Sequence, residues 1–285
     1  MEGEQKHGAT SNSCGYDPTM GWNEFLQESQ SSDHGVQIYA EVSELTESVA
    51  AYLSGGFAQG EPAVVIATAD HWSSFASGLS RRGWDSAELE AQGLLTVKDA
   101  ETTLSAFMED SGPSSVRFEA VVGGLLDGVA DRRPGKRIRA FGEMVDLLSL
   151  RGHHGAAIEL EELWNSLART RDFSLLCSYC INVFDATSQL KALPDVCGAH
   201  SHIRPASDPA RLARAVDRAL EEVLGPQEAE KVYLSIGDQI REKRVPLAQL
   251  ALMWVSEHMP TMADRVLATS RAHYERPEAL PSIPA

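Results

Sequence analysis

Cysteine and histidine residues in the second half of the chain have a spacing that is typical of metal binding. Cys177-x-x-Cys180 is followed by Cys197-x-x-His200, and zinc binds four thiolate and imidazole ligands in a tetrahedron. Cys177, however, lies inside an apolar run that predicts a strand, and side chains three residues apart on a strand point to opposite faces. Cysteine is also among the residue types most often buried without a reactive role. We therefore expect no cofactor, and zinc bound by these four residues is the alternative.

Three histidines lie at the two ends of the same predicted domain. His34 opens the first predicted strand, and His200 and His202 follow the last predicted helix of that domain. They could converge beside the sheet as ligand contacts or as a metal-binding pair. In the alternative interpretation, they form hydrogen bonds that tie the two ends of the domain together.

The chain lacks the loop with which many nucleotide enzymes bind phosphate. That loop, G-x-x-x-x-G-K-[ST] after a strand, wraps the phosphates with backbone amides and a lysine. The turn after the first predicted strand, Tyr39–Leu45, contains neither glycine nor lysine, and Pro134-Gly-Lys136 precedes a strand instead of following one. The glycines of Ser54–Gly60 lie where a helix ends, so we interpret them as helix caps. The sequence predicts no nucleotide phosphate site, and no catalytic triad can be assembled from it.

Strands alternate with helices along the first two thirds of the chain. Short apolar runs predict strands, and the segments between them have helical periodicity, as in the face that carries Leu160, Trp164 and Ala168. The predicted strands are His34–Ala40, Ala63–Thr68, Leu94–Lys98, Arg137–Phe141 and Phe173–Tyr179. This alternation predicts a doubly wound α/β domain with a mainly parallel sheet of about five strands. Trp164 should be buried against that sheet.

The candidate ligand-binding residues follow from this architecture, because open parallel sheets bind ligands beyond the carboxyl ends of their strands. Together with the two ends of the domain, the strand ends supply the candidates His34, Tyr39, Glu143, Cys177, Tyr179, His200 and His202. Glu143 directly follows a strand and could bind a ligand or act as a base. It could equally complement the dipole of the helix that begins there.

The chain changes character after about residue 206, where helical segments follow one another without strands. The predicted helices are Asp208–Leu224, Gln227–Arg244, Pro246–His258 and Thr261–Tyr274. From Ser207 onward, 10 Lys and Arg face 12 Asp and Glu, so this segment is not a basic arm for DNA. We expect a disordered segment over residues 1–33, the α/β domain over 34–205, the helical segment over 206–275 and a tail over 276–285.

The overall composition excludes several classes of protein. The 285 residues carry a formal net charge of −16, which repels nucleic-acid phosphate and anionic membranes. The hydrophobic content of 43% is sufficient for a sizeable core. The polar start of the chain lacks the apolar region of a signal peptide, and no apolar run reaches the ~20 residues of a membrane span. We expect a cytoplasmic protein with no membrane partner.

Five motifs of the chain resemble one known family. They are His34-Gly-Val-Gln-Ile-Tyr39, Arg139-Ala-Phe-Gly-Glu-Met144, Leu160-Glu-Glu-Leu-Trp-Asn165, Phe173-Ser-Leu-Leu-Cys-Ser-Tyr179 and Val196-Cys-Gly-Ala-His-Ser-His202. Over roughly residues 33–205 the chain is similar to the MEDS family, the sensory domain of methanogens, methylotrophs and the dichloromethane regulator. The resemblance implies a degenerate RecA/KaiC-like fold without the phosphate loop. Cys180 departs from the family pattern, in which a proline is expected after the tyrosine.

The resemblance also implies a function, since such domains are attached to regulators and histidine kinases and are thought to sense small, hydrocarbon-derived molecules. We expect a signal-sensing regulatory protein that binds a small molecule or a signalling protein and acts by protein–protein contact, with transcriptional control as one output. The C-terminal helices could also join copies into a homo-oligomer. The alternatives are an enzyme with a site at the strand ends near Glu143 and a structural adaptor that binds no ligand.

Overall fold

The computed structural model of the protein describes residues 18–110, 112–237 and 245–276, and it is organised around one six-stranded sheet. All strands of this sheet are parallel, in the order β3-β2-β6-β7-β1-β8. They are β1 His34–Tyr39, β2 Ala63–Ala67, β3 Leu95–Asp99, β6 Ile138–Gly142, β7 Phe173–Cys180 and β8 His202–Arg204. Two-residue strands β4 Met108–Glu109 and β5 Gly112–Pro113 form a separate antiparallel pair.

Helices cover both faces of the sheet because its central strands present apolar side chains on both sides. In β2, for example, Val64 and Ile66 belong to one apolar core, whereas Val65 belongs to the other. The helices are α1 Pro18–Glu28, α2 Val42–Ala58, α3 Ala69–Arg81, α4 Ser86–Ala91, α5 Ala100–Phe107, α6 Ser115–Phe118, α7 Gly124–Arg132, α8 Met144–Leu150, α9 His154–Ala168, α10 Ala186–Leu190, α11 Ala192–Ala199, α12 Pro209–Leu224, α13 Pro226–Ile236, α14 Leu247–His258 and α15 Pro260–Glu275. A π-helical turn, Glu119–Gly123, joins α6 to α7. No described helix combines the length and the apolarity that crossing a bilayer requires.

The predicted α/β architecture is confirmed, including the C-terminal helices. The predicted fifth strand is β7, and the predicted helical face that carries Trp164 belongs to α9. As predicted, Trp164 is buried, with 1% of its surface exposed. Trp164 packs edge-on against Phe118 and Phe173, with ring centroids 5.4 and 6.0 Å apart. The sheet has one strand more than predicted, because β8 is only three residues long and pairs with the edge of β1. The end of the predicted helix Gln227–Arg244 lies outside the described residues from 238 onward.

The segment before β1 differs from the prediction of disorder over residues 1–33. Residues 1–17 lie outside the described part, but α1 is helical and packs on α2. Trp22, Phe25 and Leu26 are buried, and Phe25 stacks on Tyr52 with ring centroids 5.4 Å apart. Burial of three large apolar side chains gives this polar segment enough contact to fold against the domain.

A buried arginine of β6 holds α1 in place. The side chain of Arg139 is fully buried, and its Nε donates to Glu61 Oε2 at 2.8 Å. Its remaining nitrogens donate to the carbonyl oxygens of Leu26, Gln27 and Tyr52 at 2.7, 2.8 and 3.0 Å. Arg139 therefore binds carbonyl oxygens in the last turn of α1, which have no partner within that helix.

Two of the glycines of the Ser54–Gly60 stretch serve this contact, which corrects their interpretation as helix caps, whereas Gly60 follows the end of α2 with φ +69° and does cap it. Gly55 and Gly56 lie inside α2 and are buried. A Cβ atom on Gly55 would lie 2.7 Å from the carbonyl oxygen of Leu26, and one on Gly56 would lie 2.7 Å from Cγ of Arg139. The two glycines therefore allow α1 and Arg139 to approach the backbone of α2.

Candidate functional site

Four side chains that can bind metal meet in the core between the sheet and helix α9. They are His34, Glu161, Cys177 and His200, all of them buried, and we call them the buried cluster. Each offers one ligand atom, and these four atoms lie within 4.8 Å of one another. Among the described residues this is the group whose ligand atoms lie close enough to hold one ion.

The sheet, helix α9 and the turn after α11 each supply part of the cluster. His34 begins β1 and Cys177 lies in the middle of β7, and the parallel register places Val36 beside Cys177. Glu161 projects from α9, which covers this face. His200 follows α11 at the point where the chain turns into β8.

The distances within the cluster are short. Nε2 of His34 lies 3.3 Å from Sγ of Cys177 and 3.3 Å from Oε2 of Glu161. Sγ of Cys177 lies 3.6 Å from the same carboxylate oxygen, and Nε2 of His200 lies 3.3 Å from Oε1. The two imidazole rings are adjacent, with centroids 4.1 Å apart.

A second set of contacts fixes the orientation of the cluster. Nδ1 of His34 lies 2.9 Å from Oδ1 of Asn165, whose Nδ2 donates to the carbonyl oxygen of Ala199. Nδ1 of His200 donates to the carbonyl oxygen of Val196 at 2.6 Å. The hydroxyl of Tyr179 donates to Oε1 of Glu161 at 2.9 Å. Each ligand except the cysteine therefore has an outer partner that holds it.

The electrostatics of the cluster are governed by burial and by mutual contact. Burial opposes the charge of Glu161, but His200 and His34 outweigh it and lower the pKa of this carboxyl. Burial and the neighbouring His200 lower the pKa of His34. Burial, followed by the charge of Glu161, raises the pKa of the Cys177 thiol well above its usual value. In this environment the carboxyl is an anion and the thiol keeps its proton at neutral pH.

A second polar network lies at the carboxyl edge of the sheet. Glu143, directly after β6, is buried and accepts a hydrogen bond from the backbone N–H of Thr68, and its Oε2 lies 2.5 Å from Nδ1 of His71. Beside it, Asp146 accepts from the hydroxyl of Tyr39 at 2.6 Å and from the N–H of Cys180 at 2.9 Å. These contacts link the ends of β1, β2, β6 and β7.

The charge states of this edge respond to pH near neutrality. The hydrogen bond that His71 donates to the carboxylate of Glu143 raises the pKa of His71. Burial raises the pKa of Asp146 to about 6. Burial and the neighbouring Asp146 also raise the pKa of Tyr39, whose phenol stays protonated.

A cavity of about 420 Å³ opens beside this network. On one side it is lined by the ends of β1 and β7 and the segment after β7, and on the other by the last helix, α15. The lining includes Tyr39, Cys180, Phe184, Ala206 and Tyr274.

The turn from β1 to α2 shows how the sheet edge differs from a nucleotide site. In this turn Oε2 of Glu44 accepts from the backbone N–H of Ala40 at 3.4 Å, and Glu41 is the residue before the helix. Two carboxylates therefore lie where a phosphate loop would present amides and a lysine.

The sequence matches one family of known proteins. The model of the family described as MEDS, the MEthanogen/methylotroph, DcmR Sensory domain, matches residues 33–200, which is more than half of the chain. The chain belongs to the MEDS family. The resemblance in the five motifs is confirmed, and a sensory family is consistent with signal-sensing regulation. No curated protein sequence matches this MEDS protein significantly.

The MEDS domain divides the predicted site residues between the two networks. His34, Cys177 and His200 lie in the buried cluster, and Tyr179 donates a hydrogen bond to its Glu161. Tyr39 and Glu143 lie at the carboxyl edge of the sheet. His202 is in neither network: its Nδ1 lies 3.0 Å from Oγ of Ser201 and its ring stacks on Phe25.

The alternative zinc ligands do not come together as that set. Cys177 and His200 share the buried cluster, but Cys180 is exposed at the cavity and Cys197 is buried in α11, and neither belongs to the group that could hold an ion. The cause is the alternation of side chains along β7, which turns Cys177 and Cys180 to opposite faces.

Sequence reasoning missed Glu161, Asn165, His71 and Asp146. Glu161 had a signal, because it lies four residues after Ala157 and three before Trp164, both of which are buried on the same helical face. A carboxylate on an apolar face needs a polar partner, so its position predicts a polar contact in the core. His71 and Asp146 lie in first turns of helices that follow strands, where many polar residues have no special role.

Proposed function

We propose that this MEDS protein is a cytoplasmic sensor whose small-molecule ligand binds in the cavity at the carboxyl edge of the sheet. The observation that carries the proposal is the composition of the cavity wall, in which strand ends of the MEDS domain face the last helix of the chain. Ligand sites of open parallel sheets lie at this edge. A molecule bound there contacts the sensory domain and the helical segment together.

The lining favours an uncharged, largely apolar molecule with a polar group at one end. Apolar side chains dominate it, namely Ile38, Ala40, Ile181, Val183, Phe184, Pro205 and Ala206. Two of its three charged residues pair with each other, since Nε of Arg271 lies 2.6 Å from Oε1 of Glu275, and the third, Glu44, accepts from the backbone N–H of Ala40. The hydrocarbon-derived ligands that the family resemblance implies have this chemistry.

Tyr274 provides the route from the cavity to the helices. Its hydroxyl lies 3.0 Å from Oγ of Ser207, its ring lies 5.7 Å from that of Phe184, and the guanidinium of Arg211 on α12 lies 5.3 Å above it. A ligand that moves Tyr274 changes the packing of α15 on α12. We propose that a partner protein, in transcriptional control for example, recognises this change through the C-terminal helices.

Cys180 provides a test, because its thiol is exposed at the cavity whereas Cys177 and Cys197 are buried. Cys14, which lies outside the described residues, would first be replaced by Ser so that it does not compete for the reagent. This variant would then be alkylated with iodoacetamide in the presence of short-chain 1-alkanols, which are apolar molecules with one polar end. We expect the alkanols to slow the labelling of Cys180 and to raise the melting temperature, since a ligand that binds the folded state stabilises it. Mass spectrometry of the digested protein reports the labelled site.

A matched pair of variants separates binding in the cavity from a general solvent effect. Ala206→Leu fills the cavity and should abolish protection of Cys180. Ala156→Leu introduces the same side chain on α9, away from the cavity, and should leave protection unchanged. Equal labelling rates with and without every alkanol, together with an unchanged melting temperature, would refute this binding site.

A further inference from the structure

The buried cluster has hydrogen-bonding requirements that its own protons do not meet. Oδ1 of Asn165 faces Nδ1 of His34, because the amide nitrogen of Asn165 is committed to the carbonyl oxygen of Ala199. An amide oxygen only accepts, so Nδ1 of His34 carries a hydrogen. Nδ1 of His200 likewise carries a hydrogen, because its partner is the carbonyl oxygen of Val196. In their neutral forms both imidazoles therefore turn the lone pair of Nε2 towards Glu161.

These lone pairs converge on an anion. Both Nε2 atoms lie 3.3 Å from an oxygen of the Glu161 carboxylate, and the thiol of Cys177 is the one nearby proton that His34 and Glu161 could share. Among the described residues none forms a hydrogen bond with Nε2 of His200, which is buried. A buried polar atom without a partner is costly, and converging lone pairs repel one another unless a cation or a proton lies between them.

The outer contacts are those of a metal site. Histidines that bind a metal almost always donate their other ring N–H to a carbonyl or carboxylate oxygen, which fixes the tautomer. His34 and His200 do so through Asn165 and Val196, and Tyr179 holds the carboxylate of Glu161 in the same way. Three of the four ligands thus have the outer partner that a bound ion requires.

The spacing also fits one tetrahedral ion. Zinc bonds of about 2.0–2.3 Å place neighbouring ligand atoms about 3.3–3.8 Å apart in a tetrahedron. The separations of 3.3, 3.3 and 3.6 Å among His34 Nε2, Glu161 Oε2 and Cys177 Sγ fall in this range. Nε2 of His200 lies 3.3 Å from the other carboxylate oxygen, Oε1, and all four ligand atoms lie within 4.8 Å of one another. The chemistry of two imidazoles, one thiolate and one carboxylate suits zinc and its neighbours among the divalent transition metals.

We infer that His34 Nε2, Glu161, Cys177 Sγ and His200 Nε2 form a binding site for one divalent transition-metal ion, with zinc as the first choice. Binding replaces the S–H bond of Cys177 by a metal–sulfur bond and releases one proton to solvent. The thiolate and the carboxylate then balance the two positive charges, so the occupied site is neutral and can stay buried. All four positions of the tetrahedron are protein ligands, which is the arrangement of a structural or sensory ion rather than a catalytic one.

The site is separate from the proposed ligand cavity, and the two inferences can fail independently. None of the four cluster residues lines the cavity. The cluster lies at the start of β1 and the cavity at its end. Metal binding can therefore be measured without any small-molecule ligand.

Cobalt provides the probe, because a thiolate ligand gives Co²⁺ a charge-transfer band in the near ultraviolet and a tetrahedral site gives strong d–d absorption in the visible. The purified full-length protein would be stripped with a chelator and titrated with Co²⁺ alone. We expect both absorptions to saturate at one ion per chain and to disappear when Zn²⁺ is added. Elemental analysis of the protein as purified should find zinc or a related ion in the same ratio.

Cys177→Ser and Cys180→Ser form a matched pair of variants. Cys177→Ser should lose the charge-transfer band, whereas Cys180→Ser should keep both the band and the stoichiometry. Asn165→Ala removes an outer partner and should weaken Co²⁺ binding about 10- to 100-fold without changing the spectrum. Circular dichroism checks that each variant is folded, and Glu161→Gln, which should also weaken binding at least about 10-fold, replaces Cys177→Ser if that variant is not folded.

Absence of the charge-transfer band in the wild-type protein would overturn the inference and leave the cluster as a hydrogen-bonded link between the ends of the domain. A band that survives Cys177→Ser but is lost in Cys180→Ser would also overturn it, in favour of a site at Cys180.

Discussion

The contact between Arg139 and α1 yields a prediction whose size follows from the structure. Arg139→Met keeps much of the apolar length of the side chain but removes its charge and donors. The change leaves Glu61, which is 6% exposed, without its closest cation, and it removes the donor that Arg139 supplies to three carbonyl oxygens of α1 and α2. Breaking a buried ion pair by removal of one partner costs about 3–5 kcal/mol. We expect a loss of this size in the free energy of unfolding.

Urea denaturation followed by circular dichroism measures the loss. For a slope of about 2–3 kcal/mol per molar urea, the midpoint should fall by roughly 1–2.5 M. Hydrogen exchange should show the largest loss of protection in α1, because its last carbonyls and Phe25 depend on Arg139 and its neighbours.

Two further variants make the reasoning specific. Arg137→Met is the matched control: its side chain is 23% exposed, lies 3.7 Å from Glu61 and 3.6 Å from Asp172, and donates to the carbonyl oxygen of Ser29, so it is partly solvated and its loss should cost about 1 kcal/mol. Glu61→Leu combined with Arg139→Met removes both charges and should recover part of the stability. A cost below about 1 kcal/mol for Arg139→Met would show that the guanidinium does not hold α1 to the sheet.

Three other measurements test the fold, the edge of the sheet and the missing phosphate loop. Trp164→Ala should lower the free energy of unfolding by about 3–5 kcal/mol, and a loss below about 1 kcal/mol would contradict its role in the core. Calorimetric titration with ATP should show no binding at micromolar concentrations, because the backbone N–H of Ala40 already donates to the carboxylate of Glu44. Micromolar affinity accompanied by hydrolysis would refute this expectation. Because burial raises the pKa of Asp146 to about 6, its protonated form stabilises the fold below about pH 4, and this contribution is lost as the pH rises through 6. The wild type should therefore lose up to about 3 kcal/mol relative to Asp146→Asn between pH 4 and pH 6.5, and equal pH profiles in urea denaturation would contradict the burial of this carboxyl.

The sheet could be predicted because its strands are distinctive in the sequence. Ala63–Ala67 and Phe173–Cys180 are nearly continuous apolar runs that end at helix-forming residues, so both their presence and their parallel pairing follow from local pattern. β8 and α1 do not have this property. β8 contains one buried apolar residue, Ile203, and α1 is held to the domain in part by Arg139, which is more than 100 residues away in the sequence.

The buried cluster could be predicted only in part for a related reason. The sequence indicates that His34 and His200 lie at the two ends of one domain, but a list of cysteines does not show which of them shares their face. Strand alternation separates Cys177 from Cys180, so the two thiols of the C-x-x-C spacing do not reach the same site. Glu161 takes part because α9 lies across β1 and β7, and that crossing depends on the packed structure rather than on any motif.

The strand order has a consequence for the time at which the protein can complete its fold during synthesis. β1 is the first strand to be made, but it lies between β7 and β8, which are the last two strands of the sheet. His34 and its contact Cys177 are 143 residues apart. At ~5–20 residues per second, the ribosome needs about 7–29 s to add that length. During this interval β1 has neither neighbour, and its Val36 and Ile38 remain free to pair with other chains. The nascent protein is therefore most exposed to pairing with other chains before residue 177 has been made.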